Sequence, residues 1–504
     1  MSIVGACMVP HPPIILPEVG RGEEKKIAAT YRAYERAAEF VAETKPETII
    51  VTSPHVILYS DWFHISPGKR ASGDMRRFGA PGTKLQVTYD TELRDVICRN
   101  AHAMDFPAGT LGEREAQLDH ATFIPLWFIN KKYTDYKLIR IGLSGFSLSE
   151  HYRLGQLIQK SIDETGRRVF FVGSGDLSHK LLAEGPYGLD ENGPVYDERI
   201  MRDMGAADFG ALLDYPPEFL ERAAECGHRS FCIMAGALDG LRVRPEMLSH
   251  EGTFGVGYGI VLYHMEDSAD DAGSIGSAAT GSGNAGVSAG KQGISGGCDL
   301  ARKFLDRWFE KKNAELAKAR AAEDPWVRLA RATVERYVRD HHVLTQAEAL
   351  QAVPEINADP AASSAMLGQQ AGTFVSIHKE GQLRGCIGTI AATKKNILQE
   401  IIGNGVSAAT RDPRFTPIRP EELPLLEITV DVLGDAEEIS GPEELDVKRY
   451  GVIVEKGGRR GLLLPNLDGV DTVADQIRIA KQKAGIPEHE RRVRLQRFEV
   501  VRHY

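Results

Sequence analysis

An apolar strand that runs into a proline and then a histidine occurs twice near the start of this chain, and the repetition limits the folds open to it. Ser2-Ile3-Val4-Gly5-Ala6-Cys7-Met8-Val9 is short and apolar, long enough for one buried strand, and it stops at Pro10-His11-Pro12-Pro13. Thr48-Ile49-Ile50-Val51-Thr52 is a β-branched run that stops at Ser53-Pro54-His55. Proline fixes its own φ and biases the preceding residue to extended backbone, so each histidine leaves its strand on a stiff segment. Between the runs, Glu24 to Thr44 carries Ile27, Tyr31, Tyr34, Ala38 and Val41 at helical spacing and is broken by Lys45-Pro46-Glu47. Strand, helix and strand in so short a span form a βαβ unit with parallel strands. Their carboxyl ends share the edge where open α/β sheets hold ligands, so His11 and His55 are expected to face one another there.

More histidines arrive in the same manner. Arg168-Val169-Phe170-Phe171-Val172 reads as a strand ending in Gly173-Ser174-Gly175-Asp176-Leu177-Ser178-His179, where small residues let backbone approach a ligand. His120 precedes an apolar stretch, and Leu248-Ser249-His250-Glu251 leads into a last strand near Gly255 to Tyr263. Asp61 to Asp90, rich in Gly, Arg and Phe, reads as a loop over the edge. The candidates are therefore His11, His55, His120, His179, His228, His250 and Glu251, with His228 and His250 read as structural. Two histidines and one carboxylate on one side of a metal suit non-haem Fe(II) oxygenases, and zinc hydrolases use the same donors, so the residues leave iron and zinc open.

A chain of 504 residues exceeds what one core serves, and its composition shows where it divides. From Ser268 to Gly297, 21 of 30 residues are Gly, Ser or Ala, too little apolar surface for a segment to order itself. The expected layout is a first domain over 1–267, a linker over 268–298, and a second domain over 299–504 that opens with a helical extension. Protease under native conditions is expected to cut within Ser268–Gly297 and leave two folded pieces with separate melting transitions. A fragment that fails to fold alone would mean a shared core. The net charge of −9 argues against a nucleic-acid surface, and no run reaches the roughly 18 apolar residues of a membrane span. Six cysteines without a CxxC pair fit a reducing cytoplasm, the expected location, and no disulfide framework.

Five pieces in order, VPHPPIILPEVG, TSPH, LDHATFIPL, GSGDLSH and SHEGTFGVGYGI, resemble the catalytic subunit of class III extradiol dioxygenases, the LigB-like family that includes the Memo proteins. The resemblance implies an α/β domain with a mixed sheet and flanking helices, Fe(II) held by His11, His55 and Glu251, His179 as acid/base, and His120 beside substrate and O2. Memo relatives look to have lost the carboxylate ligand, whereas a glutamate stands at the matching place here. The implied activity is ring cleavage of a catechol- or aminophenol-type substrate. The alternatives are a metal-binding or maturation protein without turnover and a zinc hydrolase. In the second half, LRGCIG, TRDPRF and GLLLP resemble the AMMECR1 domain, an α+β fold, over about Leu329–Tyr504. This resemblance implies a system shared with a radical SAM protein as partner and supplies no activity. Residues i and i+2 of a strand share a face, so Arg384 is expected to stand by the Cys386 thiol and favour its thiolate.

Overall fold

The computed structural model describes residues 2–114, 116–266, 304–467 and 469–504, so the expected linker Ser268–Gly297 lies outside the described residues. The chain forms two compact units, Met1–Phe309 and Glu310–Tyr504.

In the first unit the elements run β1 (Ile3–Val9), α1 (Ala28–Thr44), β2 (Thr48–Ser53), β3 (Arg70–Met75), β4 (Ala80–Thr88), α2 (Thr91–Ala103), α3 (His120–Asn130), β5 (Lys137–Gly142), α4 (Leu148–Thr165), β6 (Val169–Ser174), α5 (Asn192–Gly205), α6 (His228–Ala237), β7 (Val243–Glu251) and β8 (Tyr258–Met265). One sheet has the order β5-β2-β6-β1-β8-β7. Its first four strands are parallel and its last two antiparallel, a mixed sheet. Alternate residues serve opposite faces. Ala6, Met8, Ile50 and Phe171 belong to one core; Cys7, Val9, Ile49, Val51 and Val172 belong to the other. Strand β6 lies between β1 and β2, with Val9 beside Ser174 and Thr52 beside Gly173, so the three strands end level.

The stretch read as a loop from Asp61 to Asp90 holds the β3–β4 hairpin instead. Its inward residues on β3 are Ala71, Gly73 and Met75, and two of those three are too small to register as apolar alternation. The first unit also takes in the start of α7 (Phe304–Ala321), whose Leu305 and Trp308 are buried in its core. The Trp308 indole N–H donates to Asp214 (3.1 Å).

The second unit is α+β. Helix α8 (Pro325–Asp340) and helix α9 (Ile397–Thr410) pack on a sheet in which β9 (Thr373–Lys379) lies between β10 (Gln382–Gly388) and β11 (Leu426–Leu433). Strands β12 (Glu437–Ile439), β13 (Gly451–Lys456), β14 (Arg459–Leu463) and β15 (Arg494–Phe498) make a second sheet under α10 (Val473–Lys483). β16 (Val500–His503) closes the first sheet beside β11. Among the described residues no helix is long and apolar enough to cross a membrane.

Candidate metal centre

The level carboxyl ends of β1, β6 and β2 build the centre. His11 is buried, and its backbone N–H donates to Asp176 Oδ1 (2.6 Å). The Ser174 hydroxyl at the end of β6 donates its one proton to the Ala121 carbonyl (2.7 Å). Ser174 Oγ must then accept from His11 Nδ1–H (3.1 Å), so His11 Nε2 carries a lone pair. Beyond β2, Ser53 accepts from the His55 backbone N–H (3.2 Å) and donates to Asp119 (2.6 Å). The two imidazoles meet with Nε2 atoms 3.1 Å apart, as the parallel strands led one to expect.

A third donor comes from the loop before α6. Cys226 Sγ lies 3.6 Å from His11 Nε2, and the three ligand atoms of His11, His55 and Cys226 are all within 4.8 Å of one another. Glycine permits this placement. A Cβ on Gly175 would stand 2.0 Å from the Gly227 Cα, so the loop after β6 and the loop before α6 touch backbone to backbone. The Asp176 carbonyl also accepts from the Cys226 N–H (3.4 Å). Gly175→Ala is expected to push these loops apart and weaken divalent-ion binding by on the order of tenfold to a hundredfold, as loss of support behind a ligand does. Unchanged affinity in a chelator competition would mean that the contact does not place Cys226.

The two separations from His11 Nε2 fit a shared metal ion: with bonds of about 2.1 Å to nitrogen and 2.3 Å to sulfur, they subtend roughly 95° to His55 Nε2 and roughly 110° to Cys226 Sγ. The donor set of two imidazoles and a thiol suits iron, zinc or copper better than magnesium or calcium.

Burial governs the charge around it. Desolvation holds His11 well below the ordinary histidine range, with His120, His55 and His179 adding to the effect. Burial likewise lowers His55 and His179, and pushes His120 down to about 4 with help from His55. All four imidazoles are therefore neutral at pH 7, the form that binds metals and accepts protons. Burial also raises the Cys226 thiol, and pushes Asp176 up to about 7, with its Oδ2 4.0 Å from His11 Nε2.

The flanking histidines stand where their elements put them. Asp119 caps α3 by accepting from the Thr122 N–H (3.0 Å), which sets His120 in the first turn. The His120 ring stacks on His55 with centroids 4.2 Å apart and meets the edge of Phe78 from the β3–β4 hairpin. His179 Nδ1–H donates to the Ala224 carbonyl (2.6 Å), which leaves Nε2 as the acceptor, and Tyr187 meets its ring edge-on at 5.1 Å. A cavity of about 410 Å³ opens beside His55 and His120, lined also by Phe78, Arg77, His64 and Arg140.

Glu251, implied as a ligand, is not brought to the group. Its carboxylate accepts from the Thr30 backbone N–H (2.6 Å) and hydroxyl (2.7 Å) in the first turn of α1. A helix amino terminus has unpaired N–H groups and a positive dipole, which hold a carboxylate well. His250 binds Asp197 (2.8 Å), and buried His228 donates to the Leu212 carbonyl (2.8 Å). Cys226 and Asp176 were not singled out from the sequence. The signal for Cys226 was a polarizable thiol in a glycine-flanked loop, but it lies 215 residues from His11. In the second unit Arg384 does not stand by the Cys386 thiol as expected. Its guanidinium is forked onto Glu422 (2.9 and 2.9 Å) and donates to the Thr416 carbonyl (2.8 Å).

Residues 5–261 match the family described as the catalytic LigB subunit of aromatic ring-opening dioxygenase, and residues 327–503 match AMMECR1. Protein CA_C1420 of Clostridium acetobutylicum is 36% identical over 510 residues, covering 100% of this chain and 99% of that protein. A Thermotoga maritima protein is 48% identical over 182 residues, covering 36% of this chain and 98% of its own length. Among solved structures, protein PH0010 from Pyrococcus horikoshii matches with a TM-score of 0.30 and 27% identity, over 35% of this chain and 88% of that one.

Proposed function

This chain belongs to the LigB family of aromatic ring-opening dioxygenase catalytic subunits, with an AMMECR1 domain fused behind, and on that premise we propose that its first unit is a metal-dependent oxidoreductase that opens a catechol- or aminophenol-type ring with O2. The observation that carries this reading is the convergence of His11, His55 and Cys226 beside a cavity of about 410 Å³. Fe(II) is the ion assigned to the three side chains; when bound it supplies the redox capacity for ring opening and a 2+ charge that favours the ionised diol. Cys226 delivers the single negative charge that a carboxylate would otherwise bring.

The remaining work falls to side chains. His179, with Nδ1–H committed to Ala224, takes a phenolic proton at Nε2 and later returns it. His120, neutral because burial holds it near 4, lines the cavity without adding charge. The apolar ring of Phe78 offers a planar substrate a surface to lie against. A radical SAM protein is the partner this reading assigns to the fused arrangement.

A second reading is a metal-binding or maturation protein without turnover. It is favoured by the capture of Glu251 at Thr30, which leaves a thiol where the implied dioxygenase site has a carboxylate. One experiment separates the two: protein loaded anaerobically with Fe(II) is given O2 and a panel of catechols and aminophenols in an oxygen electrode. Substrate-dependent uptake, with absorbance of a conjugated ring-opened product, is expected. Bound iron with no uptake across the panel would select the second reading.

A further inference from the structure

The cavity beside the metal centre holds a histidine that the ring-opening chemistry does not use. His64 sits on a short strand, Phe63–His64, which pairs with Ala108–Gly109 and brings the ring to the cavity wall. Its Nδ1 lies 3.1 Å from the Leu111 carbonyl. A carbonyl only accepts, so Nδ1 carries the proton and Nε2 the lone pair. The loop that offers this carbonyl is held in turn, because the Tyr59 hydroxyl accepts from the Glu113 N–H (2.9 Å). His64 is only 2% exposed, yet among the described residues its Nε2 has no hydrogen-bond partner and is not sealed off, so it opens on the cavity. Burial, with Arg140 adding to it, lowers His64 below the ordinary histidine range and keeps that lone pair free of a proton at pH 7. Arg140 on the same wall donates to Ser66 (2.7 Å) and to the Gln117 carbonyl (2.7 Å), and Asp119 Oδ2 at 3.6 Å answers its charge. At the rim, exposed Arg77 and exposed Glu113 carry opposite signs.

Resting on the reading that this cavity takes a ring diol or aminophenol, we propose that His64 is a specificity-determining residue that accepts a hydrogen bond from a neutral donor on the substrate. The donor is a hydroxyl or amide N–H carried by the ring in addition to the two groups at the metal. A cavity of about 410 Å³ leaves room for such a substituent beside one aromatic ring. A methyl group set against Nε2 would take water from a buried acceptor and give no hydrogen bond back, which costs affinity. A carboxylate there would set lone pair against lone pair, with Arg140 already engaged by Asp119. His64 thus discriminates by polarity, while the face of Phe78 accommodates any planar ring.

Catechols bearing a methyl, hydroxymethyl or carboxylate group, each at ring position 3 or 4, test the assignment. Their binding to full-length protein loaded with Fe(II) is measured calorimetrically without O2. At one of the two positions the hydroxymethyl compound is expected to bind roughly three- to tenfold more tightly than the methyl compound, the worth of one neutral hydrogen bond, and the carboxylate most weakly. His64→Leu should erase this preference while the methyl compound still binds and the iron content stays at the parent value, a pattern that general loosening of the cavity does not give. His64→Gln keeps an amide oxygen as acceptor and should retain part of the preference. Equal affinity for methyl and hydroxymethyl at both positions, a preference that survives His64→Leu, tightest binding of the carboxylate, or no binding of any of the six would each overturn the proposal. Because the readout needs no turnover, a protein that shows the preference but consumes no O2 would keep His64 in this role and lose only the ring-opening reading.

Discussion

Cys226→Ala is expected to abolish tight divalent-ion binding by the first unit, while Glu251→Gln leaves affinity within a few-fold of the parent. Sγ of Cys226 is one of three donor atoms gathered within 4.8 Å, and the glutamate is engaged at Thr30. Structural zinc sites bind with roughly 10–16 kcal/mol shared among four ligands, so losing one ligand should cost about 3 kcal/mol, or on the order of a hundredfold in affinity. The thiol adds a pH signature. Burial raises Cys226 well above its ordinary range, so without metal it is protonated throughout the neutral region, and binding must expel that proton. Affinity should therefore rise about tenfold per pH unit through neutrality, where the four histidines are already neutral. Competition against a chromophoric chelator under anaerobic conditions measures both effects. Retained metal in Cys226→Ala together with lost metal in Glu251→Gln would restore the carboxylate as the ligand.

His179→Gln is expected to keep the metal and lower turnover by about 10²–10⁴-fold, the usual worth of a placed proton carrier. A glutamine amide can mimic the hydrogen bond to the Ala224 carbonyl but has no basic nitrogen for a phenolic proton. The acid limb of the rate profile should also lie below the ordinary histidine value, because burial lowers His179 and a charged imidazole is no longer a base. Oxygen uptake with the best diol, normalised to bound iron, reports the change. Loss of metal in His179→Gln would make His179 a ligand, and an unchanged rate would remove it from proton transfer.

What local sequence determined about this protein is direction and alternation. Proline after an apolar strand states where a histidine leaves the sheet, and a βαβ unit requires the two strand ends to share an edge. His11 and His55 were legible for that reason, while the mixed sheet with flanking helices and the α+β character of the second half came from the resemblance of short motifs to known families. Packing between distant segments decided the rest. Several donors lie within reach of the edge, and their selection depends on which backbones can touch. Gly175 against Gly227 admits Cys226, and the amino terminus of α1 holds Glu251. In the second unit Glu422 takes Arg384, while Arg414, 28 residues along the chain from Cys386, reaches the Cys386 backbone carbonyl. Strand period says which face a side chain is on; the neighbour that satisfies its charge is set only once the chain has closed on itself, because that choice depends on burial and on every competing partner.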